Sequence, residues 1–212
     1  NTFTYAVTSV QEGSANACTR SNLTGQSATV IVNPLPTAVI AGSTTVCLNA
    51  PSPPVTFTAS GGTAPYTFAY TINGVAQAPV ISNGAGVATL NALTNVAGPL
   101  VYAITMVTDN SSTLCSQTFN NVSTTVTVND LPTASISGSA TAVCLNAASP
   151  TITLTGNGGT APYTFIYSIN GVPQPAVVSN AAGSYLITVP TTVVNTFTYA
   201  VTSVQEGSAN AC

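Results

Sequence analysis

The sequence predicts an all-β protein built from tandem copies of one small domain, and three observations lead to that prediction. Segments recur at an offset of 97 residues, short runs alternate between apolar and polar residues, and the five cysteines occupy two recurring positions of the repeat. Internal repetition at a fixed period is the signature of tandem architectures. Period-two alternation rich in β-branched and aromatic residues is typical of half-buried strands.

The repeat is present at two levels. Residues 1–18 and 195–212 are identical, at an offset of 194 residues. Within that period, VCLNA at 46–50 recurs at 143–147 and GGTAPYTF at 61–68 recurs at 158–165. The inner copies have diverged and the outer copies have not, so the period is a pair of related domains, A followed by B. We expect a longer polypeptide that carries this pair many times.

This period sets the predicted domain boundaries. Residues 1–33 are the C-terminal part of a preceding B domain, residues 34–129 form domain A, and residues 130–212 form a truncated domain B whose missing tail is equivalent to residues 19–33. The joints between domains are short and contain proline, at Pro34, Pro36 and Pro132. Since proline fixes φ, we expect semi-rigid joints rather than flexible linkers.

Each domain is predicted to hold about seven short strands. Asn73-Gly74 and Asn170-Gly171 predict type I′ hairpin turns, in which both central residues need positive φ. Tyr66, Phe68 and Tyr70 are spaced by two residues, so they share one face of a strand and are predicted to face the core. Seven strands in slightly fewer than 100 residues indicate an immunoglobulin-like β-sandwich.

The cysteine spacing predicts one disulfide per domain. Cys47 and Cys115 lie 68 residues apart, as do Cys144 and Cys212. We therefore predict the pairs Cys47–Cys115 and Cys144–Cys212, with Cys18 bonded to a cysteine upstream. Structural disulfides indicate an oxidising compartment outside the cytoplasm. A metal site is the competing interpretation, but the chain has no CxxC motif and no histidine, so none is predicted.

The composition argues against several functions. The 212 residues contain one arginine, four acidic residues, no lysine and no histidine. Nucleic-acid binding needs clustered lysine and arginine, and no apolar run approaches the ~20 residues of a membrane helix. Acid–base and nucleophilic catalysis draw mostly on residues that are scarce here, so we predict no enzyme activity and no cofactor. Asp109, at a strand end before Asn110, is interpreted as a turn residue.

The segments 46–74 and 143–171, with the motif VCLNA…GGTAPYTF and the Leu-Pro-Thr joints, resemble the PKD-like and SprB-type repeats of very large secreted surface proteins of Bacteroidetes. The resemblance covers the chain domain by domain. It implies immunoglobulin-like sandwiches, export by the type IX route, display at the cell surface, and a role in adhesion or gliding motility. It transfers no catalytic residues.

Three functional hypotheses follow. The first is the stalk of a long surface adhesin, in which these domains are spacers that contact neighbouring repeats. The second is an extracellular filament or sheath of many copies, assembled by strand exchange if residues 1–33 complete a B domain of another subunit. The third is a carbohydrate-binding array, which is disfavoured because the chain contains no tryptophan.

Overall fold

The structure is a computed structural model that describes residues 1–138, 140 and 142–212. These residues form β-strands and no helix, which confirms the all-β prediction; the described part of the chain accordingly offers no helix able to span a membrane. The strands in chain order are β1 (Thr2–Ala6), β2 (Ser9–Gln11), β3 (Thr19–Ser21), β4 (Ser27–Ile31), β5 (Thr37–Ala41), β6 (Thr44–Cys47), β7 (Pro54–Ser60), β8 (Thr67–Ile72), β9 (Val75–Ala76), β10 (Val80–Ile81), β11 (Val87–Asn91), β12 (Gly98–Thr108), β13 (Ser116–Asn129), β14 (Thr133–Gly138), β15 (Thr151–Asn157), β16 (Thr164–Ile169), β17 (Val172–Pro173), β18 (Val177–Val178), β19 (Ser184–Thr188) and β20 (Tyr199–Gln205).

Strands β5 to β13 form two sheets. One has the order β10-β8-β12-β13-β6, with β9 paired to β8, and the other has the order β11-β7-β5. The short β6 runs parallel to the end of β13, with Val46 opposite Val128 and Cys47 opposite Asn129. The first strand is thus divided between the two sheets, as β5 and β6. The two sheets agree with the immunoglobulin-like sandwich predicted from the sequence.

Strands β14 to β20 repeat most of this arrangement. The sheet β14-β15-β19 corresponds to β5-β7-β11, and β16, with β17, β18 and β20 paired to it, corresponds to β8, β9, β10 and β12. By repeat position, the counterparts of β13 are β3 and β4 near the start of the chain. There, β1 pairs with β4 and β2 pairs with β3 as antiparallel hairpin strands.

Residue contacts group the chain into two compact units. Unit 1 comprises Asn1–Ile40, Thr56–Thr89 and Ala103–Ser123, and unit 2 comprises Ala41–Val55, Leu90–Tyr102 and Thr124–Cys212. These units do not coincide with the segments 1–33, 34–129 and 130–212 defined by the repeat, which we retain as the proposed domains.

Each unit has an aromatic core. In unit 1, the ring of Phe57 lies 5.6 Å from that of Phe68 and 5.2 Å from that of Tyr70, measured between centroids. Tyr66, Phe68 and Tyr70 are all buried, as their period-two spacing predicts. In unit 2, a cluster is formed by Leu154, Tyr163, Phe165 and Tyr167.

The strand-entry tyrosines bond back to their own glycine loops. The Tyr66 hydroxyl donates to the Gly61 carbonyl at 2.7 Å, and the Tyr163 hydroxyl donates to the Gly158 carbonyl at 2.7 Å. Both follow cis prolines, at Ala64-Pro65 and Ala161-Pro162. These tyrosines therefore pack within their own sandwich rather than forming an exposed aromatic platform.

Replacement of Tyr66 with Phe is expected to remove this bond while keeping the ring in place. A typical intramolecular hydrogen bond contributes about 0.5–1.5 kcal/mol, and the free energy of unfolding in a urea titration is expected to fall by that amount. Tyr5→Phe is the control, because the Tyr5 side chain is 65% exposed. Equal free energies for Tyr66→Phe and Tyr5→Phe would show that the bond to Gly61 does not stabilise the loop.

Candidate functional site

Three of the four acidic residues occupy one position of the repeat. Glu12, Asp109 and Glu206 follow one another at intervals of 97 residues. In a chain with only five charged residues, that recurrence indicates a specific structural need. The interpretation of Asp109 as an ordinary turn residue missed it, although the interval was visible in the sequence.

Each acid begins a loop that ends at a cysteine. The backbone N–H of the acid donates to the carbonyl of the cysteine six residues later, at 3.1 Å for Glu12, 2.9 Å for Asp109 and 3.1 Å for Glu206. The acid's carboxylate accepts a hydrogen bond from a serine hydroxyl two residues later in all three copies. The second cysteine of each repeat is thereby held at a fixed place by an acid-capped loop. The three loops are 12–18, 109–115 and 206–212.

Two of the carboxylates also hold a glycine loop of the same sandwich. Asp109 accepts the backbone N–H of Thr63 at 3.1 Å, and Glu206 accepts that of Thr160 at 2.6 Å. Gly62 has φ +77°, and a Cβ built there would collide with the Asp109 carboxylate. Gly159 has φ +70°, and a Cβ built there would collide with the Glu206 carboxylate. The Gly-Gly-Thr motif is thus explained by close approach of a carboxylate to backbone that needs positive φ.

Hydrogen bonding lowers the pKa of both buried carboxylates. Burial acts to raise the pKa of Asp109, but hydrogen bonds from Ser111 and from backbone N–H groups outweigh it. For Glu206, the bond from Ser208 lowers the pKa most, burial opposes it, and the Thr160 N–H adds to the lowering. Asp109 and Glu206 are only 2% and 4% exposed. They are therefore stable as buried anions because their oxygens are satisfied by donors.

We expect the fold to lose stability in acid through these two groups. Their ordinary pKa values are 3.8 for Asp109 and 4.5 for Glu206, and the folded values are lower. As the pH falls, these carboxylates are therefore protonated at higher pH in the unfolded chain than in the folded protein. The stabilisation that they provide above about pH 4.5 is lost as the pH falls through their folded pKa values. Melting temperatures between pH 7 and pH 2 measure this loss.

The double variant Asp109→Asn, Glu206→Gln is expected to be less stable at pH 7 and to show a flatter pH profile than the natural sequence. Glu12→Gln is the control, because Glu12 is exposed and holds no glycine loop among the described residues. A double variant whose melting temperature falls with pH as steeply as that of the natural chain would refute this role of the carboxylates.

The disulfide in the structure joins Cys47 to Cys212. Their Cα atoms are 5.5 Å apart, and 165 residues separate them in sequence. Cys18, Cys115 and Cys144 carry free thiols. The pairs predicted from spacing, Cys47–Cys115 and Cys144–Cys212, are not formed, and the expectation of one disulfide within each domain does not hold in this structure.

Strand β13 gives the physical reason. Cys115 immediately precedes β13, whereas Cys47 lies opposite Asn129, the last residue of that strand. A strand of 14 residues at about 3.3 Å per residue spans roughly 45 Å. Disulfide bonding needs Cα atoms within about 7 Å, so the two cysteines of one sandwich cannot reach each other.

Cys212 reaches Cys47 at the joint between repeats A and B. A cleft of about 440 Å³ in unit 2 is lined on one side by residues of repeat A, such as Gly98 and Asn129, and on the other by Thr160 and Glu206 of repeat B. The loop carrying Cys212 is the acid-capped loop of Glu206. The disulfide therefore connects the first cysteine of repeat A, which lies beside the end of β13, to the second cysteine of repeat B.

The predicted turns have positive φ at both central residues. Asn73 and Gly74 have φ of 49° and 81°, and Ile72 pairs with Val75 across the turn. Asn170 and Gly171 have φ of 50° and 79°, and Ile169 pairs with Val172. Among the described residues there is no group of three or more histidine, cysteine or acidic side chains that could hold a metal ion.

Comparison with solved structures finds similar β-sandwich chains at low identity. A structure of a 1.5-MDa bacterial ice-binding adhesin is 13% identical, with a TM-score of 0.47 over 85% of this chain and 61% of that one. A marsupial T cell receptor is 11% identical, with a TM-score of 0.45 over 83% and 69%, respectively. The human OSCAR ligand-binding domain is 17% identical, with a TM-score of 0.32 over 84% and 93%.

This chain thus spans 61% of the length of the adhesin structure. No family model matches the chain, and no curated protein matches it. These likenesses say nothing about the activity of the chain.

Proposed function

We propose that this chain is a structural segment of a very long fibre or adhesin at the cell surface, in which tandem sandwich domains form a stalk. The observation that carries the proposal concerns strands β1 to β4, here called the first hairpin, and repeat B. The first hairpin has an exposed apolar face, and repeat B has an open apolar groove. Strands β3 and β4 occupy the repeat positions of β13, the strand that repeat B requires to complete its sheet.

The first hairpin exposes side chains whose counterparts in repeat A are buried. Tyr5 is 65% exposed, whereas Tyr102 at the same repeat position is 0% exposed. Val10 is 57% exposed, whereas Val107 is 0% exposed. An apolar face of this kind is typical of a surface that packs against a partner. We infer that this partner is the body of a preceding B repeat.

Repeat B has a matching groove. It measures about 370 Å³ and is lined by Val143, Leu145, Ile152, Tyr199 and other mostly apolar residues. In repeat A, Val126 and Val128 of β13 are buried. A counterpart of β13, from residues that follow repeat B in a tandem array, would fill this groove and complete the sandwich.

The chemistry of the chain suits an extracellular spacer. Charged residues make up only 2% of it, and the abundant Ser, Thr and Asn keep an uncharged surface hydrated. Disulfides form and persist in oxidising compartments. Surface display and export by the type IX route are parts of this proposal that rest on the family resemblance.

Electron microscopy of recombinant arrays with one, two and four copies of the 194-residue period tests the stalk. The proposal predicts particles that lengthen by a constant amount for each added period, roughly 90 Å if two sandwiches, each about as long as the 45 Å strand β13, stack end to end. Particles that grow in all dimensions would overturn it.

The second candidate is a filament whose subunits exchange strands. The same exposed hairpin and open groove favour it, because the hairpin of one chain could complete repeat B of another. It predicts that the single-period chain polymerises end to end at micromolar concentration. The stalk predicts that an array in which Tyr5, Val10 and Val30 are replaced with Ser in the first period only keeps internal repeats of normal stability.

A further inference from the structure

We propose that every joint of the tandem array is closed by one disulfide, between the first cysteine of one repeat and the second cysteine of the next repeat. The first cysteines are Cys47 and Cys144, and the second cysteines are Cys18, Cys115 and Cys212. The bond Cys47–Cys212 is one instance of this rule. The inference rests on the proposed function, because it requires further repeats on both sides.

The rule accounts for all three free thiols. The partner of Cys115 would be the first cysteine of the repeat before A, and the partner of Cys18 would lie one repeat earlier still. The partner of Cys144 would be the second cysteine of the repeat after B. Each of these partners falls outside residues 1–212, so the only pair the rule allows within this chain is the pair that forms.

The described joint shows why these two positions meet. Cys47 lies opposite Asn129 at the end of β13, immediately before the joint. Cys212 closes the loop that Glu206 holds against Thr160. Gly158, in the same Gly-Gly-Thr motif, lies beside Leu131 and Pro132 of the joint. The carboxylate thus positions the second cysteine beside the preceding repeat.

A second joint supplies independent support. Asn33 occupies the position of Asn129 in the joint that precedes repeat A. Its side-chain N–H donates to Thr113 Oγ1 at 2.8 Å, and Thr113 Oγ1 lies 3.2 Å from the Sγ atom of Cys115. Because Asn129 lies opposite Cys47, we expect Asn33 to lie opposite the first cysteine of the preceding repeat. The free thiol of Cys115 is therefore held beside the position at which the rule places its partner.

Formation of each bond is a two-electron oxidation. Two cysteine S–H bonds break and one S–S bond forms, and the two protons and two electrons pass to the disulfide of a thiol–disulfide oxidoreductase, whose S–S bond breaks to give a dithiol. The reaction requires this oxidoreductase as a co-reactant, and the proposal places it in the oxidising compartment where the fibre folds.

The staggered pairing would protect the fibre against cleavage. The two cysteines of each disulfide are 165 residues apart in sequence, whereas the repeat is 97 residues long. The chain segments that successive disulfides span therefore overlap. Every peptide bond of the array interior is then spanned by at least one disulfide. Bonding within each repeat would leave the segment from 115 to 144, which includes the joint, unspanned.

Disulfide mapping by mass spectrometry tests the pairing in a recombinant array of four periods. Digestion with pepsin in acid suits a chain with one arginine and no lysine, and it suppresses exchange because thiolates are scarce. We expect peptides that link Cys47 to Cys212 and Cys144 to the Cys115 position of the next period. Linked Cys47–Cys115 and Cys144–Cys212 peptides would overturn the proposal.

A protease site inserted after Asp130 in one central period gives a second test. We expect the cleaved array to keep its full mass without reductant and to separate into two pieces with reductant. Cys47→Ser in that period is the matched control, since it removes the one bond that spans the site, and its cleaved array should separate without reductant. Separation of the unsubstituted array without reductant would refute the rule. If the arrays still lengthen in equal steps by microscopy, only the disulfide inference fails and the stalk remains.

Discussion

Replacement of Phe57 with Ala is expected to destabilise the sandwich of repeat A by about 3–5 kcal/mol, the range for aromatic truncation in a core. Phe57 is 0% exposed and contacts the rings of Phe68 and Tyr70. Removal of the Phe57 ring leaves a cavity beside the rings of Phe68 and Tyr70, which lie on the same face of β8. Since small domains have a net stability of about 5–15 kcal/mol, this one substitution removes a large part of it.

Urea titration under oxidising conditions measures this effect, and Val39→Ala is the control. Val39 lies on β5 of the same sandwich and is 63% exposed, so its truncation is expected to change the free energy of unfolding by less than about 1 kcal/mol. Similar losses for Phe57→Ala and Val39→Ala would contradict the position of the core described above.

Replacement of Gly62 with Ala is expected to cost more than about 2 kcal/mol. A residue with a side chain held at positive φ costs about 1–2 kcal/mol, and the new methyl group would also meet the Asp109 carboxylate. To relieve that contact the carboxylate must move away from the Thr63 N–H. The variant is therefore also expected to lose the part of its acid sensitivity that depends on Asp109.

Gly74→Ala separates the two contributions. Gly74 has φ +81°, similar to the +77° of Gly62, but no atom lies within 4 Å of a Cβ built on it. This control therefore carries the backbone strain alone, and the difference in unfolding free energy between the two variants is the effect of the carboxylate contact. Equal losses for Gly62→Ala and Gly74→Ala would show that Asp109 does not constrain the glycine loop.

Local patterns in the sequence were sufficient to predict much of the fold. Alternation placed Tyr66, Phe68 and Tyr70 on one buried face because side-chain direction in a strand has a period of two. The Asn-Gly pairs indicated tight turns because few other dipeptides tolerate positive φ at both positions.

The cysteine pairing could not be obtained in that way. Separations of 68 and 165 residues differ by one repeat of 97 residues, so periodicity alone cannot distinguish a bond within a repeat from a bond between repeats. The decision depends on which end of the sandwich carries each cysteine. That is set by the length of β13 and by the parallel pairing of β6, which no local pattern reveals.

The role of the acids was missed for a different reason. Glu12, Asp109 and Glu206 recur with the repeat, but each follows a strand, where an acidic residue commonly serves in a turn. The contacts of Asp109 and Glu206 with their Gly-Gly-Thr loops each join segments 46 residues apart. The signal available in the sequence was that three of the four acidic residues recur at the interval of the repeat.

The mass of the protein from its native source, measured under denaturing and reducing conditions, tests the central claim most directly. If the chain is one segment of a continuous tandem array, the species that contains this sequence has a mass many times 21.1 kDa. A species close to 21.1 kDa would contradict a continuous stalk and would instead support subunits joined by strand exchange.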